Sequence, residues 1–152
     1  MSPEQLMRRA IELSRKSLSQ KQSRPFGALI AKDGVIVGEG TSESAFVDPT
    51  AHGEILAIRD ACRRLGSTDL SGHEIYTSCE PCPLCVAAIW WSKLDRLYYA
   101  NTLDDCERIG ISTRDLVEEI RKPIEARRLP SQRILAAEAR QVFDDWRAQT
   151  KA

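Results

Sequence analysis

With 152 residues, 42% of them apolar and 29% charged, the chain is long enough to bury a sizeable core and too evenly mixed for a disordered or fibrous protein. Basic and acidic side chains balance to a formal net charge of zero, which removes the strong bias of a dedicated nucleic-acid or membrane-surface binder. Residues 1–9 hold no apolar run of the signal-peptide kind and no stretch of about 18 apolar residues occurs, so one domain, 1–152, in the cytoplasm is expected.

Ser2-Pro3-Glu4-Gln5 places a cap, a first-turn proline and a glutamine three residues after the cap, and Leu6, Ala10 and Leu13 continue at helical spacing. A first helix is expected over about 3–18, followed by a polar loop over 19–24. The apolar run 25–31 reads as a buried strand, and Asp33-Gly34 turns it into a second strand over 35–38, a hairpin. A polar loop over 41–47 leads to Asp48-Pro49, a cap and first-turn proline that put Ala51 to Glu54 in the opening turn of a helix running to about Leu65, with Gly66 just past its end.

A third strand is expected over 73–77 and a helix from about Leu84 to Trp91, with Pro83 marking its start. A fourth strand follows over 96–100. Strands joined through a helix imply a crossover, so part of the sheet is parallel and covered by helices. Residues 101–121 are polar and acidic, with a helix over about 113–121 stopped by Pro123. Arg133-Ile134-Leu135-Ala136 reads as a fifth strand, and Ala139 to Gln149 as a closing helix carrying Val142, Phe143 and Trp146. The segment 131–152 is thus a strand and helix extension placed to cap a site.

Five cysteines are an odd number for a disulfide framework, and Cys79, Cys82 and Cys85 crowd one short stretch. Cys82 and Cys85, with His52 upstream, are the three soft ligands of a catalytic zinc, which keeps its fourth position open for water. Glu54, two residues after His52, then stands beside the water as the proton carrier. The competing reading is a structural zinc held by Cys79, Cys82, Cys85 and His52, but it leaves Glu54 without a purpose. Cys62 and His73 read as a core thiol and a strand-end histidine. The basic residues from Arg121 to Arg133 lack the interleaved aromatics of a nucleic-acid surface and read as helix-end charges; nucleic acid is not the expected partner.

His52-Gly53-Glu54 followed, after residues 55–80, by Pro81-Cys82-Pro83-Leu84-Cys85 matches the zinc-deaminase signature H-x-E…P-C-x-x-C. With Pro25-Phe26-Gly27-Ala28, Asp48-Pro49-Thr50-Ala51-His52 and Tyr76-Thr77-Ser78-Cys79-Glu80, the chain resembles the zinc-dependent cytidine-deaminase superfamily, and within it bacterial guanine deaminases. The resemblance implies an α/β fold, a three-layer α/β/α sandwich with a five-stranded mixed sheet. It implies one zinc per chain on His52, Cys82 and Cys85, with Glu54 shuttling protons and Phe26 against the substrate ring, and a homodimer acting on a small aminoheterocycle.

Three departures bear on the substrate. Ser42 stands where relatives place a substrate-binding asparagine; Thr113, with Asp115 two residues on, stands where guanine deaminases use an acidic residue; and Gly53 replaces the common alanine, a glycine also seen in fungal cytosine deaminases. Trp91 is a further candidate wall of the pocket. The implied reaction is hydrolytic deamination, with guanine to xanthine as the first choice. Cytosine, an aminotriazine of the ammeline type, guanosine and a tRNA adenosine are the alternatives.

Overall fold

The computed structural model describes residues 1–19, 23–43 and 48–150. The polar loops expected over 19–24 and 41–47 fall partly outside the described residues. The chain divides into two compact units, Met1–Arg114 and Asp115–Ala152.

The first unit begins with helix α1 (Pro3–Lys16), started by a capping box: the Gln5 amide donates to Ser2 Oγ at 3.3 Å and the Ser2 amide to Gln5 Oε1 at 2.7 Å. A short 3-10 turn, Ser17–Ser19, ends it. Four strands follow: β1 (Gly27–Lys32), β2 (Val35–Thr41), β3 (Glu74–Cys79) and β4 (Arg96–Asn101). They form one sheet in the order β2-β1-β3-β4, with β1 antiparallel to both neighbours and β3 parallel to β4. Helix α2 (Gly53–Leu65) lies between β2 and β3, and α3 (Pro83–Trp91) makes the crossover from β3 to β4. Helix α4 (Leu103–Arg108) closes the unit.

Strand β1 is buried on both faces, which is why its sequence is a continuous apolar run without alternation. On one side Leu29 and Ala31 pack with Leu6, Ala10 and Leu13 of α1 and with Tyr76. On the other, Ala28 and Ile30 pack with Ala57 and Ala61 of α2, Leu70 and Ile75. Helices therefore cover both faces of the sheet. Fully burying one leucine or isoleucine side chain contributes about 2 kcal/mol, so the two clusters hold α1 and α2 firmly to β1. Gly38 lets α2 approach β2 closely, since a Cβ there would lie 2.6 Å from Ala57 O and Ala61 N.

The second unit holds helix α5 (Arg114–Arg121), which begins at its boundary, a 3-10 turn at Ile124–Ala126 and helix α6 (Ala136–Thr150). Its turn is held by Glu119, which accepts from the Arg128 amide at 2.7 Å, and by an Arg128–Asp115 ion pair at 3.0 Å. No helix among the described residues is long and apolar enough to cross a membrane.

Two expectations are corrected. The sheet has four strands among the described residues, not five: residues 133–135 form no strand, and α6 begins at Ala136. Leu135 adopts φ 51°, a left-handed conformation incompatible with extended pairing, and Ile134 and Leu135 are exposed. Asp48 does not cap α2. Its carboxylate accepts from the Thr50 amide at 2.8 Å and from Thr50 Oγ1 at 2.7 Å, closing a local turn.

Candidate active site

The N-cap of α2 is His52 and that of α3 is Cys82, both with extended backbone (φ −71°, ψ 154° and φ −69°, ψ 168°). An N-cap side chain ordinarily turns back to a free amide of the first turn. Neither does so here, and both turn to each other. Pro83 fits the first position of α3, where no amide partner is needed, and carries Cys85 round to face Cys82. The helix starts therefore bring together three donors far apart in sequence.

Cys82 Sγ lies 3.5 Å from His52 Nδ1, Cys85 Sγ 3.4 Å from the same nitrogen, and the two sulfurs are 3.8 Å apart. A tetrahedral zinc with Zn–S of about 2.3 Å and Zn–N of about 2.0 Å has S–S edges of about 3.8 Å and S–N edges of about 3.5 Å. The triangle fits that ion, and its donor set of one imidazole and two thiols matches zinc chemistry. These three are the group of possible metal ligands found among the described residues.

The thiols are unequal. Cys82 is pulled down to about 4, chiefly by its hydrogen bond with Cys85 and, after the opposing effect of burial, by His52, while the same contact pushes Cys85 up. Contact with Cys82 raises His52. A cation in the triangle displaces these protons, so its binding competes with acid. Glu54, in the first turn of α2, is only 8% exposed, and burial raises its carboxyl above the ordinary range.

These groups open into one cleft lined by His52, Glu54 and Cys82 at its base and by Arg24, Phe26, Cys79, Glu80, Leu103, Cys106, Ile111 and Thr113 around it. The arrangement sets a metal triangle, a protonatable buried carboxyl and an apolar aromatic wall around one small space. That is the equipment for hydrolysis of a flat heterocycle.

Of the sequence-proposed substrate residues, Phe26 and Thr113 line the cleft. Ser42 stands behind it, 1% exposed, its amide donating to Phe26 O at 2.9 Å. Gly53 begins α2 beside the backbone of Phe26, where an added Cβ would meet Phe26 O at 3.2 Å. Trp91 is 81% exposed at the end of α3 and shares an apolar groove with Val86, Ile89, Trp90 and Leu94, away from the cleft. Asp115 belongs to the second unit, where it pairs with Arg128.

The sequence reading missed Arg24, Glu80, Leu103, Cys106 and Ile111. Leu103 and Cys106 come from α4, whose signal was present: Thr102 and Asp105 form a capping box, the Asp105 amide donating to Thr102 Oγ1 at 3.1 Å and the Thr102 amide to Asp105 Oδ2 at 3.0 Å. Glu80 fixes that helix start by accepting from the Leu103 amide at 3.0 Å. Cys79 ends β3 as a buried thiol pushed up to about 12 by burial, its Sγ 3.5 Å from Thr102 O.

A family model for the cytidine and deoxycytidylate deaminase zinc-binding region matches residues 1–101. Guanine deaminase of Bacillus subtilis strain 168 is 38% identical over 148 residues, 97% of this chain and 95% of its own. The X-ray structure of Bacillus subtilis guanine deaminase superposes with a TM-score of 0.93 over the same shares. Guanine deaminase from Nitrosomonas europaea has a TM-score of 0.70 at 32% identity, covering 74% of this chain and 65% of its own. A tRNA-specific adenosine deaminase of Aquifex aeolicus is 36% identical over 120 residues, 78% of each chain.

Proposed function

The chain belongs to the zinc-binding cytidine and deoxycytidylate deaminase family, and from that premise we propose that it hydrolyses the 2-amino group of guanine, giving xanthine and ammonia. The observation that carries this reading is the juxtaposition, in one cleft lined by Phe26, of buried Glu54 with His52 and Cys82, two corners of the His52–Cys82–Cys85 triangle. His52, Cys82 and Cys85 would hold the zinc, which would supply a Lewis acid to lower the pKa of water.

Glu54 takes the proton of the attacking water and gives it to the ring nitrogen beside the amino-bearing carbon, as the new C–O bond forms and the ring loses aromaticity there. It then moves the proton of the new hydroxyl to the amino group. The C–N bond breaks, ammonia leaves, and the carbon becomes the oxo carbon of xanthine. Burial raises the Glu54 carboxyl above the ordinary range, the direction that helps it hold a proton. Phe26 stacks on the ring, and Cys79, Leu103 and Ile111 keep the cleft apolar around the reacting atoms.

A tRNA adenosine deaminase is the second reading, favoured by the Aquifex aeolicus relative. The Bacillus subtilis guanine deaminase match favours the first, because its 97% coverage takes in nearly the whole chain. Ammonia release from guanine, cytosine, adenine, isocytosine, ammeline and guanosine separates these readings. Guanine as the leading substrate supports the proposal, and salt-sensitive tRNA binding with inosine formation would replace it. The chain acts as a homodimer in this reading, supported by the exposed Val86, Trp90 and Trp91 on α3.

A further inference from the structure

We infer that Arg24 is the residue that selects the base, reading a pair of hydrogen-bond acceptors on the edge of the heterocycle away from the amino group, and so favouring a 6-oxopurine over a 6-aminopurine. The inference rests on the guanine reading and adds to it a substrate contact from a loop outside the deaminase signature.

Arg24 lines the cleft from an exposed position, whereas Glu54 is buried at its base. Among the described residues it has no ion-pair or hydrogen-bond partner for its guanidinium. Glu80, a carboxylate on the same cleft, already accepts from the Leu103 amide. An unpaired cation on the rim of a cleft whose carboxylates are buried or already engaged is a recognition group awaiting acceptors.

The loop that carries it is held. Ser23 Oγ donates to Ser42 O at 2.9 Å, the Ser42 amide donates to Phe26 O at 2.9 Å, and the Phe26 amide donates to Arg24 O at 2.8 Å. Pro25 restricts the same turn. Ser42 thereby acts as a positioning residue for Arg24 and Phe26.

Guanine placed with its 2-amino group toward Glu54 turns O6 and N7 to the rim. A guanidinium fork pairs with O6 and N7 bidentately, the commonest specific arginine contact to a base. A 6-amino group would put a donor against that donor and leave the cation unsatisfied.

The test compares ammonia release from guanine and 2-aminopurine, which keeps the reacting amino group and lacks the 6-oxo oxygen, by the wild-type chain, Arg24→Gln and Arg24→Lys. Equilibrium dialysis of the same two bases with Glu54→Gln, with and without Arg24→Gln, reads affinity without turnover. Arg24→Gln is expected to lower kcat/KM on guanine about 10- to 100-fold and on 2-aminopurine by less than about threefold, with lysine intermediate and the affinities following. Equal losses on both bases, or no loss on guanine, overturn the inference while wild-type guanine turnover stands. Arg24-dependent preference for guanosine monophosphate over guanine also overturns it, assigning the cation to a phosphate. A wild-type chain that releases no ammonia from guanine overturns the guanine reading and, with it, this one.

Discussion

Glu54 has the surroundings that the proposed proton carrier needs: burial raises its carboxyl, and it stands in the first turn of α2, two residues after His52 of the candidate metal triangle. Glu54→Gln keeps the volume and removes the titrating proton. The variant is expected to retain about one zinc per chain by elemental analysis and to lose roughly 100- to 10,000-fold in turnover; near-wild-type ammonia release would remove Glu54 from its role. His52, Glu54, Cys82 and Cys85 were legible as a group because short spacing and residue chemistry suffice to mark them. Arg24, Leu103, Cys106 and Ile111 were not, since nothing local tells which way an isolated arginine or apolar side chain faces. Ser42 and Trp91 show the converse, for their positions in the chain say nothing of whether they reach the cleft.

At the scale of elements, the site depends on α1 and α2 being held against the sheet. Arg9 of α1 grips Glu39 of β2 with Nε at 2.7 Å and Nη2 at 2.9 Å, and this hydrogen bonding holds the Glu39 carboxyl below its ordinary value. A carboxyl lowered in the folded state contributes stability above its unfolded value of about 4.3 and loses it as pH falls through the folded value. The pair is partly exposed, so the contribution is below about 1 kcal/mol. Urea unfolding of the wild type and Arg9→Met is expected to show a gap at pH 7 that narrows as pH drops below about 4. A gap of constant size across that range would contradict the assigned linkage.

Caps and glycines made most elements readable, as with the Ser2–Gln5 box and Gly66, which ends α2 at φ 63°. The failures share one cause. Asp48-Pro49 and Ile134-Leu135-Ala136 carry signals too short to choose between a turn, a strand and a helix: local hydrogen bonds from Thr50 set the first, and the left-handed Leu135 breaks the second. Helix α4 was lost inside a polar stretch although its capping box was present.

At the scale of the molecule, hairpin, crossover and mixed sheet followed from the order of apolar runs, and the count of strands did not. The first unit carries the whole cleft, and α3 leaves Trp90 and Trp91 at 79% and 81% exposure. A dimer through that surface predicts that Trp90→Glu with Trp91→Glu shifts the sedimenting species from two chains to one while leaving the far-ultraviolet circular dichroism unchanged. A wild-type chain that sediments as a monomer would contradict it.

Product stoichiometry with the zinc-loaded chain tests directly whether the His52–Cys82–Cys85 site and Glu54 deaminate guanine. Guanine should yield xanthine and ammonia in equal amounts, with turnover lost on chelation and restored by zinc. Absence of both products from guanine, or their formation undiminished after complete zinc removal, would contradict the account.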